Sequence, residues 1–521
     1  MLLKNIKNIA FTLLAAIIAM NTTSCVDALD TEPIDDSVVT SAQVYDTPED
    51  FKQVLAKLYA GFATTGQEGP AGNPDIQGID EGFSSYIRQL WVHQIIPTDE
   101  AVVAWNDPGL PEFNFQAWGP SNDFVMGMYS RIYYEITLTN EFIREAQQRD
   151  EAVIQGYKAE ARFLRALSYW HALDLFGGNV PFVTENDPIG AYMPEPTNNQ
   201  DLFNYIESEL LEVAENLPAP QANQYGRADQ AAAWTLLAKL YLNAEVYTGQ
   251  DRYDDAVTMA AKVIDEGGYS LEENYQNLFL ADNDQTNEII FPIRFDGDNI
   301  RTFGGTTFII HAAVGGNMSA TEFGIGGGWA GHRVTPEFVG LFDLDNDGRA
   351  LFFTDGQSLE IEDYREFTHG YAVSKWKNVN STGEPGISNS YVDTDFPMFR
   401  LADVYLMYAE AALRGQSGDM NRAVQLVNEL RQRAFGDDSE NITNSDLTLE
   451  FILDERAREL YWEGHRRTDL RRYDLFTSPN YVWSWKGNDV EGSGTSDHFN
   501  IFPIPSTDIN SNLNLTQNPG Y

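Results

Sequence analysis

The sequence predicts a mainly α-helical chain: a tetratricopeptide-repeat-like array of about four helix pairs, with long irregular loops and a few short strands. Three observations predict it. First, Leu401, Val404, Tyr405, Tyr408 and Ala412 recur at helical spacing. Gly415 and Gly418 break that helix, and Met420, Ala423, Val424, Val427, Leu430 and Ala434 repeat the stripe behind an N-cap at Asp419. Second, residues 227–266 repeat the unit. Trp234, Leu237, Ala238 and Tyr241 share one helix, and Tyr253-Asp-Asp-Ala256 opens its partner, continued by Ala260 and Val263. This spacing matches tetratricopeptide positions and points to a right-handed stack. Third, residues 281–398 interrupt the pattern, with nine glycines between 304 and 331. Such a density excludes a packed helix and favours turns that bring backbone close to a ligand.

In chain order, Met1–Ser24 reads as an export signal. Lys4 and Lys7 precede an apolar run from Ile9 to Met20, too short to span a bilayer. Thr22-Thr23-Ser24 before Cys25, the chain's single cysteine, resembles a bacterial lipobox, with Thr22 in place of the usual leucine. Cys25 is then the lipidated first residue; the alternative is ordinary cleavage that leaves a free thiol. Residues 25–47 form a polar tether. Residues 48–280 make up the first helical region. Its opening helix turns Phe51, Val54, Leu55, Leu58 and Tyr59 inward, and further helices run from Phe124 to Arg149, from Val153 to Phe176 and from Leu202 to Leu217. Within it, 66–123 is rich in Gly, Pro, Asn, Asp and Trp and has no sustained period. It is a long excursion of the kind that carries function. Residues 281–398 are an insertion with short strands at Glu288–Phe295 and Tyr371–Lys377. Residues 399–521 close the chain, with a third helix carrying the charged run Glu455 to Arg467.

Four blocks in the last region resemble the C-terminal signature of the SusD/RagB family: Arg400-Leu-Ala-Asp-Val-Tyr-Leu-Met-Tyr-Ala-Glu-Ala-Ala412, Glu455-Arg to Glu459-Leu-Tyr-Trp-Glu463-Gly-His-Arg466, Phe502-Pro-Ile-Pro505 and Gln517-Asn-Pro-Gly-Tyr521. The resemblance implies a nutrient-binding outer-membrane lipoprotein without catalysis. It also implies a SusC-like TonB-dependent transporter as partner, and an acyl chain on Cys25 that holds the protein on the membrane. Asp27, Asp30 and Glu32 resemble the surface-export signals of such lipoproteins, so the expected location is the cell exterior.

Charge and motifs set limits of their own. A net charge of −44 repels phosphate backbones and anionic lipid, which excludes nucleic acid as a partner. No Gly-x-Ser-x-Gly, His-Glu-x-x-His or P-loop is present. The run Glu455–Arg467 has the residue types of an active site. On one helix, however, Glu455, Glu459 and Glu463 share a face, where Arg456, Arg458, Arg466 and Arg467 neutralise them. It is expected to be a structural ion network.

The binding candidates lie in the two irregular stretches. Trp105, beside Asn106 and Asp107 in a Pro/Gly-rich loop, suits a sugar platform: the ring stacks on a C–H face while amide and carboxylate bond hydroxyls. Trp329, in Gly326-Gly-Gly-Trp-Ala-Gly-His-Arg333, offers a second aromatic face, and Arg88 a forked donor. Each Trp alone fits core or loop packing equally well. In starch-binding members of the family an Arg and Trp residues from these two regions line an arc-shaped glycan site, and Arg88, Trp105 and Trp329 stand in corresponding places. The resemblance therefore implies an oligosaccharide of α-glucan type, held by loops 66–123 and 296–335. A surface glycoside hydrolase, a protein-only scaffold and a peptide-uptake protein are the alternatives.

Asp343-Leu-Asp-Asn-Asp-Gly348 has the spacing of a Ca2+ loop, with Asp343, Asp345 and Asp347 as ligands. Thr354 stands where the bidentate Glu belongs. The family's Asp-x-Arg turn, here Asp347-Gly-Arg349, is the preferred reading, and no other cofactor is expected.

Overall fold

The computed structural model describes residues 44–521 apart from Ala71 and Ala191. The signal, Cys25 and most of the tether lie outside the described residues. Helices of seven or more residues are numbered in chain order: α1 (Pro48–Gly61), α2 (Tyr86–Gln94), α3 (Asp123–Ala146), α4 (Ala152–Phe176), α5 (Asn199–Asn216), α6 (Gln230–Leu242), α7 (Tyr253–Glu266), α8 (Gly305–Ala313), α9 (Leu401–Arg414), α10 (Met420–Phe435), α11 (Leu449–Leu460) and α12 (Arg466–Arg472).

Seven of them form a row in which each packs on the next: α3, α4, α5, α6, α7, α9 and α10. This is the mainly helical, repeat-like array the periodicity predicts. The caps are local and legible. The Asn122 side chain accepts from the backbone N–H of Phe124 and Val125. Asp229 accepts from Ala232, and Asp419 from Asn421 and Arg422. Helix α9 shows where a sequence stripe falls short. It packs against α7, α10 and α11 at once, and every residue from Leu401 to Ala412 is buried. Small Ala402, Ala409 and Ala411 permit this close approach on all sides.

The insertion supplies the strands. β2 (Ile289–Ile293) pairs antiparallel with β6 (Phe396–Arg400), in register Ile289 with Arg400 and Ile293 with Phe396. β4 (Phe352–Phe353) pairs with β5 (Ala372–Val373). β1 (Val102–Val103), from the first excursion, pairs with β3 (His332–Arg333), from the second.

Three expectations need correction. The first excursion, read as irregular, contains helix α2, buried except at Arg88. The glycine-rich stretch does contain a packed helix, α8, buried along its length. The glycines flank it, and Thr306 to Ala313 are free of them. The charged run is also not one helix. α11 ends at Leu460, Trp462 and Gly464 take positive φ of 63° and 85°, and α12 restarts the helix.

That break rearranges the ion network. Only Arg458–Glu455 is a local pair of the predicted kind. Glu455 also meets Arg349 and Arg431. Glu459 meets Arg349, Arg400 and Arg433, and Glu463 meets Lys375 and Arg400. Glu288, at the foot of β2, joins through Arg400 and Arg433. Arg456 turns to Asp403 and Asp469, Arg466 to Asp99, and Arg467 to Asp174. The run thus ties α11 and α12 to distant elements, and apart from Arg458–Glu455 its acids and bases pair outside the run. Burial by itself would raise the Glu459 carboxyl, but Arg433, Arg400 and Arg349 outweigh it and hold it at about 2.

Candidate functional site

The site is built on α8. A helix C-terminus leaves carbonyls without intrahelical partners. Here the backbone N–H groups of Trp329, Ala330 and Gly331 donate to the carbonyls of His311, Val314 and Ala312 at 2.7, 2.9 and 2.8 Å. The second loop is thereby laid flat on the end of α8. Gly328 is needed for this approach, since a Cβ there would meet the Val314 carbonyl oxygen at 2.0 Å.

The first loop is stitched to the second by β1 and β3, in register Val102 with Arg333 and Val103 with His332. The Ala104 N–H extends the ladder to the Gly331 carbonyl at 2.7 Å. Its base is held by Asp99, which accepts from Arg466 Nε and Nη2 at 2.8 and 2.7 Å. Asn114 brackets Val103, donating to its carbonyl and accepting from its N–H, both at 3.0 Å. Arg333 locks the back. Its guanidinium is buried and donates to the carbonyls of His369, Val102, Gly331, Tyr364 and Glu366. Burial pulls it down to about 9.

These restraints bring Trp105 and Trp329 together. Their ring centroids are 6.3 Å apart at 46°, and the Trp105 indole N–H donates to the Trp329 carbonyl at 2.9 Å. Both side chains are half-buried, whereas Asn106 and Asp107 are exposed. Behind the pair, Trp329 packs edge-on to His311 at 4.8 Å and Trp105 lies 5.2 Å from His332. Neither ring nitrogen of His332 has a partner, and its burial, with Arg88 and Arg333 nearby, keeps it neutral.

Arg88 comes from α2. Its Nη1 donates to the carbonyls of Gly82 and Phe303 at 3.0 and 3.3 Å, and the guanidinium sits 4.4 Å over the Phe308 ring. Burial lowers it to about 10, against the pull of Asp107 and Asp80, so it remains a cation at neutral pH. Arg88, Asp107 and Trp329 line one open cleft of about 450 Å3 together with Asp80, Asp123 and Phe303. Trp105 and Asn106 do not line it: Trp105 is joined to it by its contact with Trp329, and Asn106 only as the chain neighbour of Asp107. Asp80, Asp123 and Phe303 were not singled out in the sequence. Asp80 and Phe303 in irregular chain and Asp123 at the start of α3 carry no shared spacing signal, and only the fold brings them to one rim.

The acidic loop is different. Asp347 is buried and chelates Arg349, accepting from Nε and Nη2 at 2.9 Å each. Asp343 accepts from the Asp345 N–H and the Asn346 side chain. Asp343, Asp345 and Asp347 are not gathered into a metal centre, and among the described residues no group of three such ligands is. The turn hands Arg349 to the buried ion network.

Similar proteins share the whole architecture. In solved structures, a SusD superfamily protein from Bacteroides thetaiotaomicron superposes with a TM-score of 0.72 at 21% identity, over 91% of this chain and all of that one. Surface glycan-binding protein A from the same organism, in complex with laminarihexaose, superposes at 0.69 and 19% over 90% and 99%. The SusD family model matches residues 350–521. The starch-binding protein SusD of Bacteroides thetaiotaomicron is 36% identical over 99% of both chains. SusD-like protein P2 of Formosa agariphila is 28% identical over 79% of this chain and 83% of its own. Identity at that level along essentially the full length of both chains, with the family pattern on the region that holds the ion network, makes this chain a member of the SusD family.

Proposed function

We propose that this chain is a non-enzymatic glycan-binding lipoprotein of the cell surface. It captures an oligosaccharide of α-glucan type and delivers it to a SusC-like TonB-dependent transporter. The observation that carries the reading is the joining of Trp105 and Trp329, from loops 224 residues apart, into one half-exposed aromatic surface beside Arg88 and Asp107. Two tilted indoles suit a curved chain of sugar rings, with the indoles against C–H faces and the charged and amide groups on hydroxyls. The identity to starch-binding SusD favours an α-glucan over other glycans. An open cleft buries little of a short ligand, so affinity grows with chain length.

Affinity electrophoresis on native gels tests it. Retardation by amylopectin or glycogen, without release of reducing sugar, is the expected result. Retardation by a β-glucan alone overturns the α-glucan assignment, and mobility unchanged by every glycan overturns the binding function.

A further inference from the structure

Away from the aromatic cleft, a pocket of about 250 Å3 opens between α1, the turn at 224–227 and the end of β2. Its walls are largely apolar: Leu55, Ala60 and Ala63 on one side, Pro292 and Ile293 on the other, and the Tyr225 ring between them. Three cations also border it, Lys52, Arg227 and Arg294. That is a local inversion of charge on a chain with 78 acids and 34 bases.

The three cations are not equivalent. Arg227 is already matched: it donates through Nε and Nη2 to Glu160, which also accepts from the Tyr59 hydroxyl. The Arg294 side chain makes no ion pair or hydrogen bond with any described residue, and neither does that of Lys52. Arg294 is nonetheless held in place. Its stem lies across Gly226, where a Cβ would come within 2.4 Å of Arg294 Cδ, and Gly226 has a φ of +85° that disfavours any side chain. Its guanidinium carbon sits 5.7 Å from the Tyr225 ring centre. The nearby Asp395 is engaged elsewhere, accepting from the Tyr225 hydroxyl at 3.0 Å and the Phe295 N–H at 2.8 Å. A guanidinium fixed by its stem and one face, with its donor edge unused, matches a planar carboxylate.

We propose that this pocket binds a small amphipathic carboxylate, with its apolar body between α1 and β2 and its carboxylate on Arg294, Lys52 adding a second charge. An apolar body is required because the walls offer few hydrogen-bonding groups. A rim cation whose N–H groups meet no acceptor, and which acts on Asp395 and Asp296 only through charge, selects an acid over an alcohol or amide. The site is separate from the aromatic cleft and does not depend on the glycan reading.

Isothermal titration with octanoate, octanamide and acetate tests it. Octanoate is expected to bind at least tenfold more tightly than either of the others. Arg294→Gln, an exposed substitution that leaves the fold intact, brings octanoate down to the level of octanamide. Ala60→Phe fills the pocket and removes binding, with the melting temperature as the check on folding. Trp105→Ala leaves octanoate affinity unchanged, which separates this site from the glycan cleft. Absence of octanoate binding, equal binding of octanamide, or octanoate affinity that Arg294→Gln does not alter overturns the proposal.

Discussion

The indole N–H of Trp105 donates to the backbone carbonyl of Trp329 at 2.9 Å, and the two rings lie 6.3 Å apart. One tryptophan thus holds the backbone that carries the other. The two substitutions should therefore differ. Trp329→Ala removes a surface that lines the cleft and is expected to weaken glycan binding at least tenfold, about 1.4 kcal/mol, with little change in melting temperature. Trp105→Ala removes the support as well, so glycan affinity and melting temperature should both fall. Equal thermal effects from the two would show that the hydrogen bond does not hold the second loop.

Gly331 sits beneath Trp105, and a Cβ there would lie 2.5 Å from Trp105 Cζ2. Gly331→Ala must push the ring outward. Overpacking of this kind costs about 1–3 kcal/mol, and the near-ultraviolet circular dichroism of the tryptophans should change with it. Glycan affinity should drop although no contacting side chain has been altered. A wild-type spectrum and affinity would mean that the loops shift at no cost.

Arg400 is the centre of the buried network, donating to Glu463, Glu288 and Glu459. Arg400→Ala takes one cation from three buried carboxylates, of which Glu459 keeps Arg349 and Arg433, Glu463 keeps Lys375 and Glu288 keeps Arg433. A loss at or below the about 3–5 kcal/mol of a fully broken buried pair is expected. Chemical denaturation should show it as a lower midpoint at unchanged slope. An effect below about 1 kcal/mol would place these contacts in the class of solvated surface bridges.

Acid should act through the same network and through Glu410, which pairs separately with Arg472 and Arg414. The Glu410, Glu455 and Glu459 carboxyls are held at about 2 against an ordinary 4.5; burial opposes this, but the surrounding arginines outweigh it. The unfolded chain takes up protons that the folded one refuses in this window. The stability from these groups is complete above pH 4.5 and is lost as the pH falls toward about 2. Melting temperatures measured across that range should fall steeply, and a flat profile would contradict the assignment.

Glu100 has the opposite sign. Burial pushes its carboxyl up to about 8, although Arg466 and the hydrogen bond from the Trp462 N–H favour the charged form. The folded state retains a proton that the unfolded state releases, so stability falls as the pH rises from 4.5 to about 8. Glu100→Gln cannot ionise. The difference in melting temperature between the variant and the wild type should grow in favour of the variant across that window. A constant difference would mean that Glu100 is already charged when folded.

The reach of sequence reading follows from which interactions are local. Helix periodicity and caps such as Asp419 depend on neighbours three or four residues away, so the array was legible. Helix α8 was not, because its flanking glycines hid eight residues that the fold buries. Trp105, Trp329 and Arg88 stood out singly by residue type and loop context. Asp80, Asp123 and Phe303, which share their cleft, had no pattern to mark them.

By itself the sequence determined a stack of paired helices, a family signature in its last region, and two aromatic-bearing loops. Only the tertiary structure decided that these loops meet, because β1 and β3 pair across more than 200 residues and the end of α8 offers carbonyls that one loop satisfies. It also decided the partners of Glu455, Glu459 and Glu463. A buried charge must be matched by whatever opposite charge the fold brings near, and spacing along one helix does not reveal that.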